Sequence, residues 1–259
     1  MITIGFIGAG KMASSIINGL DKNQYHIQLS ASTAHSTQKH AQALNVTAAA
    51  SHNDLIQSSD IVVLAVKPHI IPSVLTQHKI DKPIVSIAAG MTLSDLAELT
   101  SPTQPLIRVM PNINATIQKS TTGITRNENV SDDTFATVVS IFERVGSVYE
   151  IAEKDFGTFT ALAGSSPAYI YMFIDAMSRA GVLHGMPKDV STKIVSETVL
   201  ASAEMVLKSG ENPWTLVNNV SSPGGTTVAG VVSLEQHNFV ATVIDAITAT
   251  VEKNNQMRQ

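Results

Sequence analysis

Two short stretches combine residue types and spacings that could do chemistry, and each reads as a cradle for an anion. The first is Gly8-Ala9-Gly10-Lys11-Met12-Ala13. Gly8 permits a tight turn, Gly10 lets the backbone come close to a pyrophosphate, and Ala13 lets a helix and a strand pack closely. The unpaired N–H groups at the start of the following helix would hold the phosphates, favoured by the helix dipole. The second stretch is Val220-Ser221-Ser222-Pro223-Gly224-Gly225-Thr226-Thr227. It joins two glycines and four hydroxyls to a helix start but has no lysine of the kind a phosphate-binding loop carries, so a carboxylate is the better ligand. An interhelical turn would explain Pro-Gly-Gly but not the hydroxyls around it.

The elements that must position these residues can be read from apolar periodicity. Ile2 to Ile7 reads as a buried parallel strand, and Met12, Ile16, Ile17 and Leu20 recur at helical spacing. A second strand, Ile27 to Ala31, ends in Ser32-Thr33 with neither carboxylate nor arginine. An acidic residue there would bind a ribose 2′-hydroxyl and repel a 2′-phosphate. Its absence, with Ser32 and Thr33 able to donate, favours NADP over NAD, although both residues would also suit a helix N-cap. Ile61 to Val66 reads as a central strand covered on both faces, ending in Lys67-Pro68-His69. Lys67 could be an acid or could merely touch a cofactor, while His69 is expected to face solvent. Pro83 to Gly90 repeats the pattern of strand and small-residue turn. Leu106 to Met110 ends in Pro111-Asn112, where an amide could pair with a nicotinamide carboxamide or simply make a turn. Strands at Thr121–Thr125 and Gly146–Ile151 flank a helix over Asp132–Phe142. The alternation predicts an α/β fold: a Rossmann-type, doubly wound parallel sheet over residues 1–151. From Ala152 strand patterns give way to helical spacing, which predicts an all-α domain over residues 152–259.

Composition narrows the function classes. Of 259 residues, 44% are hydrophobic and only 15% charged, below the roughly one-quarter typical of globular chains. So little polar cover implies that some apolar surface is hidden against another subunit. A net charge of −4 offers no electrostatic case for nucleic acid or anionic membrane. The absence of cysteine removes disulfides, thiolate catalysis and cysteine-based zinc, and the eight histidines show no metal-ligand spacing, so no metal is expected. No basic n-region precedes the first strand, which makes the cytoplasm the expected compartment. Phe156–Ile174 and Asn212–Leu234 carry no charge, but their Gly, Ser, Thr and Pro content argues for a helical interface rather than a membrane span.

The stretch Pro213 to Glu235 closely resembles the signature of pyrroline-5-carboxylate reductases. So do GFIGAGKMA (Gly5–Ala13), LAVKPHII (Leu64–Ile71), SIAAGM (Ser86–Met91), RVMPN (Arg108–Asn112) and ALAGSSPAYIY (Ala161–Tyr171), in family order over nearly the whole chain. The resemblance implies reduction of the cyclic imine pyrroline-5-carboxylate to L-proline by NADPH, with NADH possible. It also implies homodimers through the C-terminal helices, often assembled into decamers.

Carried over residue by residue, the resemblance implies that Gly8, Ala9, Gly10, Lys11 and Met12 bind the pyrophosphate. Ser32 and Asn53 would hold the 2′-phosphate, with Val66, Lys67, Pro68, Ala89 and Asn112 along the nicotinamide. Ser222, Gly224, Gly225 and Thr226 would form the carboxylate loop, and the Thr227 hydroxyl would meet the ring nitrogen. Two departures stand out: Ile113-Asn114 where many members read Thr-Pro, and Ser166 where glycine is common. A β-hydroxyacid dehydrogenase would need a dedicated acid such as Lys188, Lys193 or Lys208, all expected at the surface. A non-catalytic NADP sensor would need only the first cradle.

Overall fold

Ile61-Val62-Val63-Leu64 is buried at every position, because alternate side chains feed two different hydrophobic layers. Ile61 and Val63 join Phe6, Ile16, Ile17, Leu29 and Phe142 on one face of a sheet. Val62 and Leu64 join Ile7, Leu55, Ile71, Ile84 and Leu96 on the other. A strand covered on both sides has no polar face to alternate with, which is why this run is uniformly apolar.

The protein is seen in a computed structural model that describes residues 1–256. The strands are β1 (Ile2–Ile7), β2 (Tyr25–Ser30), β3 (Thr47–Ala48), β4 (Ile61–Leu64), β5 (Ile84–Ser86), β6 (Leu106–Met110), β7 (Ser120–Arg126) and β8 (Gly146–Glu150). The helices among them are α1 (Lys11–Gly19), α2 (Ala34–Leu44), α3 (His52–Ser58), α4 (Ile71–Gln77), α5 (Leu93–Leu99) and α6 (Asp132–Glu143). The sheet runs β3-β2-β1-β4-β5-β6-β7-β8, so the chain reverses its direction of travel between β1 and β4.

The sheet is the expected Rossmann-type one, mostly parallel, with one antiparallel pair. β7 pairs antiparallel with β6, and β8 then pairs parallel with β7. A parallel crossover needs a dozen or more residues, usually with a helix. Only residues 111–119, folded largely as a short 3₁₀ turn (Ile113–Ile117), separate β6 from β7, so the chain doubles back. The link from β7 to β8 contains α6 and restores the parallel sense.

After β8 come α7 (Phe156–Phe159), a π-helical stretch (Thr160–Ser165), α8 (Ser166–Leu183), α9 (Lys188–Ser209), α10 (Pro213–Val220), α11 (Thr226–Gln236) and α12 (Phe239–Gln256). The structure divides into two compact units: Met1–Gly164 together with the segment beginning at Lys253, and Ser165–Glu252.

The helical unit lacks a core of its own. Among its described residues Val195 is the sole buried apolar side chain, while Met172, Leu183, Leu200 and Leu207 are each more than two-thirds exposed. One buried valine contributes at most about 3 kcal/mol, whereas ordering each residue's backbone costs roughly 1–2 kcal/mol. These helices therefore require a further apolar surface to cover them. Within the unit, α8 and α9 are joined by polar contacts: Ser191 donates to the Ser178 carbonyl (3.0 Å), and Lys188 binds Asp175 (2.8 Å) and Ser178. No helix among the described residues is long and apolar enough to cross a membrane.

Candidate active site

The turn between β1 and α1 is built by two glycines with different jobs. Gly8 has φ +109, and its N–H donates to the Ser30 carbonyl at 2.8 Å. A Cβ there would lie 2.5 Å from the Ala65 carbonyl oxygen, so backbone shape and close packing both demand glycine. Gly10 has φ −71 and ψ 173, open to any residue, and a Cβ there would meet no atom within 4 Å. Neither strain nor packing explains Gly10; open space in front of a helix start does. Thr33, Ser51, Thr92 and Ser131 cap α2, α3, α5 and α6 with side-chain oxygens, whereas α1 begins on Gly10 with no side-chain cap. Its first N–H groups are left to an external acceptor.

A cavity of about 850 Å³ opens beside this turn, at the carboxyl ends of β1, β2, β4, β5 and β6. That is the place where the strand order reverses and where open α/β sheets bind ligands. Gly8, Ala9, Gly10, Lys11, Met12, Ser32, Val66, Lys67, Pro68 and Ala89 all line it. Among the described residues its ionisable side chains are Lys11, His40 and Lys67, with no carboxylate. A basic, uncapped cavity of this size fits a polyphosphate nucleotide.

Three expected residues take other positions. Thr33 does not line the cavity; its hydroxyl caps α2 by accepting from Ser36 N–H at 3.1 Å. Asn53, on the first turn of α3, places its Oδ1 2.7 Å from His78 Nδ1. Asn112 is buried and both ends of its amide are engaged. Its Oδ1 accepts from Asn114 N–H (3.1 Å), and its Nδ2 donates to the Ala163 carbonyl (3.0 Å). It therefore shapes the cavity wall around Pro111 and Ile113 rather than presenting a free amide. Sequence reasoning missed Ser36 and His40, which lie one turn apart on the cavity side of α2. Their i, i+4 spacing beyond the Thr33 cap was the available signal.

Behind the end of β2 lies a histidine pair. His52 Nδ1 is 2.7 Å from Ser30 Oγ, and its ring meets His78 edge-on with 5.3 Å between centroids. Burial, reinforced by the neighbouring His78, holds His52 below the ordinary imidazole range. Deeper in the same unit, buried Arg108 pairs with Glu153 at 3.0 Å and lies over the Phe156 ring at 4.3 Å. The same Glu153 oxygen accepts from Leu93 N–H at 2.7 Å, which fastens the start of α5.

The second cradle lies in the helical unit. Residues 221–225 join α10 to α11, and α11 starts on Gly225 with no side-chain cap. Gly225 donates to the Ser222 carbonyl at 3.0 Å, and a Cβ on it would strike Ser222 Oγ at 2.4 Å. Gly224 has φ +66, and Thr226 and Thr227 stand exposed on the first turn of α11. Of the lysines a hydroxyacid chemistry would need, Lys188 is tied to Asp175, Lys208 to Glu204 at 2.6 Å, and Lys193 is exposed.

Comparison with known proteins agrees with this geometry. Residues 153–257 match the pyrroline-5-carboxylate reductase dimerisation family, the region that holds the uncovered apolar face. Residues 3–90 match the family described as NADP oxidoreductase, coenzyme F420-dependent. The curated pyrroline-5-carboxylate reductase of Escherichia coli is 38% identical, over 98% of this chain and 97% of its own. A crystal structure of the Streptococcus pyogenes 1-pyrroline-5-carboxylate reductase superposes with a TM-score of 0.92 at 44% identity, over 98% of both chains. The Plasmodium falciparum enzyme, solved with NADP bound, superposes with a TM-score of 0.88 at 32% identity, over 100% of this chain and 98% of its own. The chain belongs to the pyrroline-5-carboxylate reductase family of oxidoreductases.

Proposed function

We propose that this chain reduces 1-pyrroline-5-carboxylate to L-proline in the cytoplasm, as the last step of proline biosynthesis, with NADPH preferred and NADH accepted. The observation that carries the reading is the pair of helices that start on a glycine with no side-chain cap, α1 on Gly10 and α11 on Gly225, one in each unit. When bound, the reduced nicotinamide supplies the hydride; the protein supplies position and charge.

The N–H groups at the start of α1 and Lys11 take the pyrophosphate, and the Ser32 hydroxyl, on the cavity wall, takes the 2′-phosphate. Val66, Lys67, Pro68 and Ala89 line the nicotinamide side, and Asn112 holds the wall behind it. Ser222, Gly224, Gly225 and Thr226 hold the substrate carboxylate on the N–H groups of α11. Thr227 orients the ring nitrogen through its hydroxyl. An alcohol is too weak an acid to be the main proton source, and an imine nitrogen acquires its proton from water readily. The lack of a strong acid in either cradle therefore suits an imine better than a ketone. The helical units pair into homodimers, and dimers associate further into decamers.

The test is steady-state oxidation of NADPH and of NADH with 1-pyrroline-5-carboxylate, beside 3-hydroxyacid oxidation in reverse. Turnover of the imine alone supports the reading. Turnover of the hydroxyacid, or nucleotide binding with no turnover, overturns it.

A further inference from the structure

Among the described residues the cavity has no arginine for a 2′-phosphate, and its other two basic groups are placed for other duties. Lys11 opens α1 beside the pyrophosphate turn, and Lys67 follows β4. The remaining basic group is His40. It lies one helical turn beyond Ser36 on α2, on the same cavity wall as Ser32 at the end of β2. His40 is half-buried and has no hydrogen-bond or ion-pair partner among the described residues. A half-buried imidazole facing a cavity without such a partner is available to a ligand.

We propose that His40 supplies the cation for the 2′-phosphate, with the Ser32 and Ser36 hydroxyls beside it, so that discrimination of NADPH from NADH is proton-linked and sharpens as pH falls. The proposal rests on the nucleotide reading above. An imidazole changes charge within the physiological pH range, where lysine and arginine do not. Only the protonated ring offers a full charge to the phosphate, whereas NADH presents a hydroxyl that gains little from it.

Among the described residues no carboxylate lines the cavity to compete with a phosphate for a protonated His40, while Lys11 and Lys67 oppose that proton until the phosphate is bound. On α2 itself His35 and Lys39 are exposed and do not line it. On the packed elements, Lys11 heads α1, and His26 is exposed at the far end of β2. Lys22 reaches the Leu44 carbonyl at the other end of α2 (2.5 Å). β3 carries no ionisable side chain.

The experiment is direct titration of the full-length protein with NADPH and with NADH, followed by nucleotide fluorescence, from about pH 6 to pH 8. The probes are the wild type, His40→Ala and His40→Arg. A phosphate monoester itself titrates near pH 6, so the readout is the difference between wild type and variant at each pH. At the acid end His40→Ala should weaken NADPH binding roughly ten- to 100-fold, the scale of a charge-assisted hydrogen bond. NADH binding should be unchanged, and the gap should close toward pH 8. His40→Arg should restore NADPH affinity and keep it at high pH. Equal losses for both nucleotides, or a wild-type-to-alanine gap that does not move with pH, overturn the role of His40. Failure of the wild type to bind either nucleotide sinks the cofactor reading instead.

Discussion

Replacing Gly10 by alanine separates what the fold needs from what the ligand needs. Gly10 has φ −71 and ψ 173, and a Cβ there would meet nothing within 4 Å. The folded chain should therefore accept the methyl without strain. Alanine also restricts the unfolded chain, a gain of about 0.4–1 kcal/mol. For a protein of this size that raises Tm by up to roughly 4 °C. Binding should move the other way. The methyl would project into the space in front of the uncapped N–H groups of α1, where the proposed site has the pyrophosphate come close. Forcing an extra methyl into a filled contact costs about 1–3 kcal/mol, which is roughly five- to 150-fold in Kd. Gly8→Ala is the control, because its Cβ would sit 2.5 Å from the Ala65 carbonyl oxygen at φ +109. That variant should lose stability by about 1–3 kcal/mol or more. Thermal melting and nucleotide titration of the two variants give the answer. A Gly10→Ala protein that melts well below wild type, or that binds NADPH with wild-type Kd, would refute the assignment of that open space to the pyrophosphate.

Thr227→Ala should lower kcat ten- to 1,000-fold, the rough range for losing one transition-state hydrogen bond, with substrate-analogue binding nearly retained and Thr227→Ser restoring most of the rate. Complete loss of turnover with both ligands still bound would make Thr227 the proton donor instead. His52 is held below the ordinary imidazole range, so protonation favours the unfolded chain as pH falls below the free-histidine value of about 6.5. Stability should be full above that pH and decline below it, and His52→Asn should flatten the decline in melts run across the range. Glu153→Ala removes the partner that pairs with buried Arg108 and accepts from Leu93 N–H; with Glu153 one-third exposed, a loss of about 1–3 kcal/mol in urea unfolding is expected. The uncovered face of α8 and α9 predicts a homo-oligomer by light scattering, with a Tm that rises with protein concentration. A monomer of unchanged Tm on dilution would refute it.

The sequence by itself determined whatever depends on near neighbours. The strand, glycine turn and helix from Ile2 to Gly19 were legible because apolar spacing and turn chemistry act over a few residues. The same holds for Asp132–Glu143, for the apolar run at Ile61 and for the glycine start of α11. The low charge content also foretold a surface in need of cover, since composition sets how much polar area a chain can show. Tertiary structure decided the rest, because the partners lie far away along the chain. Asn112 read equally as a ligand-facing amide or a turn residue; only the fold brings the Ala163 carbonyl, 51 residues on, to its Nδ2. β7 read as another strand, but its antiparallel sense follows from a link too short to cross over. Histidine 40 carried no motif; it became a candidate only when folding set α2 beside the end of β2 and left that ring facing the nucleotide cavity. Periodicity reports which side of an element is apolar, while the neighbours that meet its polar groups are chosen by packing.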